Sequence, residues 1–160
     1  MAQTVYYFWA ALRLGGPETP ITFAVPTGNF GNVFAGYGAH RMGLTVKELI
    51  VGSNSNDILT CFFESGEMKI GNVVQTLSPS MDIQISSNFE RLLFELYNRD
   101  SSRISTLMSN FRQDGSFTVD KKILTKARKI FRGERYTDDE ILKLISTHYE
   151  KTETFIDPHT

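Results

Sequence analysis

A single cysteine, Cys61, leaves no partner for a disulfide within the chain, a usage that fits a reducing cytoplasm. The three histidines, His40, His148 and His159, do not fall at metal-ligand spacing, and no second cysteine stands near Cys61. A zinc site, or any other metal site, is therefore not expected. Neither sign of charge dominates: seventeen basic residues face eighteen acidic ones, so no broad field exists to hold nucleic acid or a membrane surface. There is no internal repeat and no low-complexity linker. The most apolar stretch, Met1–Leu14, has no basic leading region, is interrupted by Gln3 and Arg13, and is too short to span a bilayer. A helix buried on most sides is the expected form.

What remains is the composition of a globular protein: 41% hydrophobic and 22% charged over 160 residues, enough chain for one domain with a sizeable core. Residues 2–13 read as a helix stopped by Gly15, Gly16 and Pro17. Ile21–Val25, between two prolines, reads as a buried parallel strand. The turn Thr27–Asn32 follows, then a helix over Val33–Met42, a second strand at Glu48–Val51 and a polar turn, Gly52–Asn56. Asp57 is a candidate cap for the helix that runs on to Gly66. Strand, glycine turn, helix and strand in this order describe a βαβ unit. The second half reads as helices at Ser87–Leu96, Ser101–Arg112 and Lys121–Phe131, and a last helix opened by a capping box at Thr137–Glu140. The expected fold is α/β, part of a mainly parallel sheet with flanking helices, followed by a helical appendage. Residues 1–85 would form the βαβ portion, and 86–160 a mainly helical portion that returns towards the site.

The turn TGNFGN (Thr27, Gly28, Asn29, Phe30, Gly31, Asn32) sits between a strand and a helix, where an anion site is physically favoured. Glycines bring backbone amides close to a ligand, and the helix N-terminus adds unpaired donors and a favourable dipole. The pattern is neither GxGxxG nor a P-loop. From the residues alone, a phosphate cradle and a plain structural turn both remain open.

The stretch FAVPTGNFGNVFAGYGAHRMGL resembles the phosphate-cradle segment of threonine synthases, members of the pyridoxal-phosphate family that includes serine dehydratases and tryptophan synthase β chains. SNSNDIL, TLSPSMDIQISSNFERLLFEL and IDPHT also resemble that family in matching order, and MAQTVYYFWAAL resembles its helix before the cradle strand. The resemblance implies that Thr27, Gly28, Asn29, Phe30, Gly31 and Asn32 bind the phosphate of pyridoxal 5'-phosphate; in such a cradle Gly31 is expected to allow close approach of the backbone and a positive φ. It implies that Asp157, His159 and Thr160 lie near the substrate, O-phospho-L-homoserine. The implied reaction eliminates the γ-phosphate and adds water at the β-carbon, giving L-threonine. Asp82 and Ser86–Asn88 carry a weaker signal of function, since Ser86 or Ser87 would also serve as a helix cap.

The family's cofactor-linking lysine lies in a phenylalanine–lysine–aspartate context found nowhere in this sequence, so no catalytic residue is expected in the chain and the isolated piece is expected to be inactive. The natural protein is expected to continue on both sides, and the piece alone to self-associate. Two rivals stand beside this reading. A non-catalytic regulatory or assembly protein built on the same fold is one. The other is a nucleic-acid module at Lys121–Arg135, where seven basic residues face one acid. That segment keeps an apolar stripe and lacks the interleaved aromatic platform of single-strand binders, so no nucleic-acid or membrane partner is expected.

Overall fold

The computed structural model describes residues 2–16 and 18–160, and it contains the βαβ unit. Helix α1 (Thr4–Arg13) leads to strand β1 (Ile21–Pro26), helix α2 (Gly31–Arg41), strand β2 (Val46–Ser53) and helix α3 (Ile58–Ser65). The short strand β3 (Glu67–Lys69) and a 3₁₀ turn at Pro79–Met81 follow. Helices α4 (Phe89–Leu96) and α5 (Ser101–Asp114), strand β4 (Ser116–Thr118), helix α6 (Lys121–Ala127), strand β5 (Phe131–Arg135) and helix α7 (Asp138–Thr152) complete the order. The protein is thus α/β, with a parallel sheet of order β1-β2-β5 flanked by helices. Val25 pairs with Val51, and Val51 with Gly133. Strands β3 and β4 form a separate antiparallel pair.

One face of the sheet carries the core. Val25, Leu49, Val51 and Phe131 pack with Val33 and Tyr37 of α2, Phe62 and Phe63 of α3, and Leu92 and Leu93 of α4 in a single buried cluster. This cluster draws residues from both sides of residue 85, so the two halves share one interior. Its centre is aromatic: Phe30 meets Phe89 edge-on at 5.0 Å between ring centroids, and Phe63 stacks on Phe131 at 5.5 Å, geometries that add stabilisation beyond area burial.

The helix read over Lys121–Phe131 ends early. Only Lys121–Ala127 is helical, and Phe131 opens β5. Apolar residues continue at helical spacing through Ile130 and Phe131, but their burial is set by docking beside β2, where tertiary pairing overrides the local period. The capping box forms as read: Thr137 Oγ1 accepts from the Glu140 amide, and the Glu140 carboxylate accepts from the Thr137 amide. Helix α1 departs from expectation. It buries Tyr7 and Ala11 only, leaving Val5, Tyr6, Trp9 and Leu12 about 60% exposed, because its cover comes from one side, mainly from α2, with Phe23 of β1 edge-on to Tyr7 at 4.9 Å. Among the described residues no helix is long and apolar enough to cross a membrane.

Candidate functional site

The chain leaves β1 at Pro26 and makes the turn Thr27–Phe30 before α2 begins at Gly31. Thr27 is buried; its amide donates to Gly52 O at 2.8 Å and its hydroxyl to Val25 O at 2.6 Å, pinning the turn to the strand ends. Phe30 carries the positive φ, at +64°, whereas Gly31 does not. This corrects the expectation for Gly31. A left-handed buried aromatic costs about 1–3 kcal/mol, and the packing of Phe30 against Phe63, Phe89 and Phe131 holds it there. The phenylalanine therefore anchors the turn from the core side. Gly28 is needed for close approach: a Cβ there would stand 2.9 Å from the Ser80 carbonyl oxygen.

The turn shows donors. Among the described residues the amides of Gly28, Asn29, Phe30, Asn32 and Val33 have no protein acceptor, while the Gly31 amide donates to Asn29 Oδ1 at 3.0 Å. Unpaired amides at the head of an eleven-residue helix form a partial positive site. Asn32 is fixed from outside by Tyr7, whose hydroxyl lies 3.0 Å from its carbonyl and side-chain oxygens; burial pushes the Tyr7 hydroxyl's pKa far up, so it stays a neutral donor.

The polar turn after β2 is built into a buried network. The Asn54 amide lies 2.8 Å from Asp82 Oδ1 and 2.9 Å from Ser78 Oγ. Asn56 Nδ2 donates to Val74 O at 2.8 Å and lies 3.0 Å from Asp82 Oδ1, while Thr76 donates to the same carboxylate through its hydroxyl and its amide. Asp57 does not cap α3; its carboxylate pairs with Arg135 at 2.6 Å. Burial works to raise the Asp82 pKa, but the Thr76 and Asn54 donors and nearby His159 outweigh it and hold the carboxyl below its ordinary range. Such a group contributes stability above the ordinary aspartate pKa that is lost as pH falls through its lower folded value. Asp82→Asn is expected to cost about 2 kcal/mol at neutral pH. The gap to wild type in urea midpoint should narrow as pH falls below the ordinary aspartate range; a gap independent of pH would count against a charged Asp82 at the hub.

A cavity of about 420 Å³ opens at the C-terminal ends of β1 and β2, between the second face of the sheet and α7. Pro26, Asn54, Met81 and Ile141 line it together with the C-terminal turn. Asp157, His159 and Thr160 all reach this cavity, but Thr27–Asn32 do not; Pro26 and Met81 stand at the border between the two. His159 Nδ1 lies 2.6 Å from Asp157 Oδ1, while its Nε2 is buried without a partner among the described residues. The His159 amide and ring hold the Asp157 carboxyl below its usual pKa. No lysine lines the cavity, and among the described residues no cluster of three or more His, Cys, Asp or Glu could hold a metal. Sequence reasoning missed Tyr7 and read Phe30 as part of the turn without its role as the anchor in the core: neither the apolar run around Tyr7 nor the polar TGNFGN marks locally what these rings pack against.

No protein-family model matches the chain. Threonine synthase from Pseudomonas aeruginosa is 46% identical over 160 residues, covering all of this chain and 34% of the relative. The crystal structure of a PLP-bound threonine synthase from Brucella melitensis superposes with a TM-score of 0.98 at 51% identity, covering 99% of this chain and 34% of that one. Yeast threonine synthase superposes at 0.92 with 37% identity, again over 99% of this chain and 34% of that one. The chain spans about a third of the length of the curated relatives it matches. On this agreement of sequence along the whole chain and of fold, the chain belongs to the threonine synthase family and corresponds to about a third of such an enzyme.

Proposed function

We propose that this chain carries the part of a threonine synthase that holds the phosphate of pyridoxal 5'-phosphate. The family reaction would be conversion of O-phospho-L-homoserine and water into L-threonine and phosphate, in the cytoplasm. The observation that carries the reading is the row of unpaired amides at Gly28, Asn29, Phe30, Asn32 and Val33, in a chain 51% identical to a PLP-bound relative. These donors fit a phosphate, whose charge would be met by amide dipoles and the start of α2. When bound, the cofactor supplies the electron sink for bond-breaking at the substrate's carbons.

Thr27 and Phe30 would hold the turn's shape, Gly28 and Gly31 would admit the phosphate, and Asn29 and Asn32 would border it. Asp157 would orient the His159 ring, leaving the buried Nε2 to meet an oxygen of O-phospho-L-homoserine beside Thr160. Calorimetric titration with pyridoxal 5'-phosphate tests the cradle. Gly28→Ala should weaken binding tenfold or more (roughly, from displacement of the turn by the Ser80 carbonyl). Equal affinity in a folded Gly28→Ala protein would mean that TGNFGN is only a structural turn.

The isolated chain is also proposed to associate with itself. Val5, Tyr6, Trp9 and Leu12 lie at helical spacing and form an exposed apolar stripe on α1, the kind of contiguous patch that association would cover. Light scattering at micromolar concentration should give a mass above the 18.1 kDa of one chain, and Trp9→Lys should lower it. A monomer mass with sharp cooperative melting would refute the association.

A further inference from the structure

A backbone turn carries acceptors as well as donors, and a carbonyl oxygen facing a phosphate would repel it. Here the acceptors are taken. Ser86 Oγ donates to Gly28 O at 2.9 Å. The Asn88 backbone amide and its side-chain Nδ2 both donate to Asn29 O, at 3.1 and 2.9 Å. Phe30 O accepts from the Phe34 amide within α2. The carbonyls of Gly28, Asn29 and Phe30 are thereby engaged, while among the described residues the amides of Gly28, Asn29 and Phe30 have no protein acceptor.

The donors, Ser86 and Asn88 of one segment, do not themselves line the site's cavity. Neither Ser86 nor Ser87 caps α4, whose N-cap position is Asn88 without a side-chain cap bond; Ser86 is buried and its hydroxyl is spent on the turn. The segment is fixed at both ends. On one side Asp82 ties it to Asn54, Asn56 and Thr76, and the Ser80 carbonyl lies where a Cβ on Gly28 would meet it. On the other, Phe89 is buried edge-on against Phe30. The segment thus backs the turn, tied to the Asp82 network at one end and to the aromatic core at the other.

We infer that Ser86 and Asn88 are positioning residues for the phosphate: by holding the Gly28 and Asn29 carbonyls, they aim the neighbouring amides at it and so favour the phosphorylated cofactor over unphosphorylated pyridoxal. The inference rests on the reading of TGNFGN as the phosphate cradle. Neither residue needs to touch the ligand. Their effect should therefore fall on the phosphate and leave affinity for the pyridine ring unchanged.

The test titrates the 160-residue chain with pyridoxal 5'-phosphate, inorganic phosphate and pyridoxal, and follows backbone amide resonances. Ser86→Ala and Asn88→Ala should each weaken binding of pyridoxal 5'-phosphate and of inorganic phosphate about five- to tenfold, the loss of one hydrogen bond's worth of order. Binding of pyridoxal should not change. The Gly28, Asn29 and Phe30 amide signals should shift while those of Val51 and Leu92 stay in place, and Ser86→Thr, which keeps the hydroxyl, should restore affinity. If Ser86→Ala fails to fold, Ser86→Cys keeps the volume with a weaker donor and is read in the same way. Wild-type affinity for pyridoxal 5'-phosphate in folded variants would overturn the inference and leave the cradle intact. A wild-type chain that binds neither pyridoxal 5'-phosphate nor inorganic phosphate would overturn the cradle itself and the inference with it.

Discussion

Incubated with O-phospho-L-homoserine and pyridoxal 5'-phosphate, this 160-residue chain is expected to release no phosphate above the rate without protein. Chemistry of this kind needs a lysine that bonds to the cofactor and then moves protons at the substrate carbons. All eight lysines, at 47, 69, 121, 122, 126, 129, 143 and 151, are exposed. None lines the cavity at the ends of β1 and β2. Lys126 is occupied beside the end of α4, donating to Leu96 O at 2.9 Å and to Asn98 Oδ1 at 3.0 Å. Binding and turnover should therefore separate: the proposed phosphate cradle rests on the unpaired amides of the turn, which need no lysine, whereas turnover needs an ammonium that the cavity lining lacks. The measurement is phosphate release with and without prior borohydride treatment, which fixes a lysine–cofactor bond irreversibly. Release that depends on the cofactor and is abolished by borohydride would show that one of the exposed lysines reaches the site after all.

The βαβ unit was legible because its signals are local. Unbroken apolar runs between prolines mark β1, glycines mark the turn, and the acid three residues after Thr137 marks α7. Strand β5 was not legible. In FRGER charge alternates with small and apolar residues, and the segment becomes a strand only because β2 offers an unpaired edge beside it. The conformation of the turn was half legible. Glycine content pointed to a residue with positive φ, but the residue that takes it is Phe30, held by rings from α3, α4 and β5 that lie 33 to 101 positions away (Phe63, Phe89 and Phe131). The same holds for Ser86 and Asn88. Their types suggest a helix cap, and only the tertiary fold brings them to the carbonyls of Gly28 and Asn29. Long-range partners of this kind leave no periodicity for a sequence reading to find.

Gly133→Ala is expected to destabilise the chain by about 3 kcal/mol, although strand propensity alone argues for the opposite sign. Glycine in a strand gives up entropy and packs nothing, so alanine should gain about 0.5–1 kcal/mol on propensity grounds. Packing decides otherwise. Gly133 sits in β5 opposite Val51, directly under α3, and a Cβ there would stand 2.7 Å from the Thr60 Cα. Relief requires moving helix backbone, because the contact is with Cα and not with the end of a flexible side chain. Moving it would also disturb the Thr60 hydroxyl, which lies 3.1 Å from both Ser53 Oγ and Glu134 O, donating to the carbonyl and able to accept from the serine, and so ties α3 to both β2 and β5. Overpacking of a dense core costs about 1–3 kcal/mol, and two strained hydrogen bonds add about 1 kcal/mol each at most. The sum exceeds the propensity gain and is a large share of the roughly 5–15 kcal/mol that holds a domain folded. The check is the urea midpoint of Gly133→Ala against wild type, with Gly133→Ala/Thr60→Ala as the discriminating double variant. Trimming Thr60 leaves its Cα in place, so the double variant should recover none of the loss. A midpoint for Gly133→Ala at or above wild type, or full recovery in the double variant, would mean that α3 yields to the added methyl and that the α3–β5 contact is looser than its geometry implies.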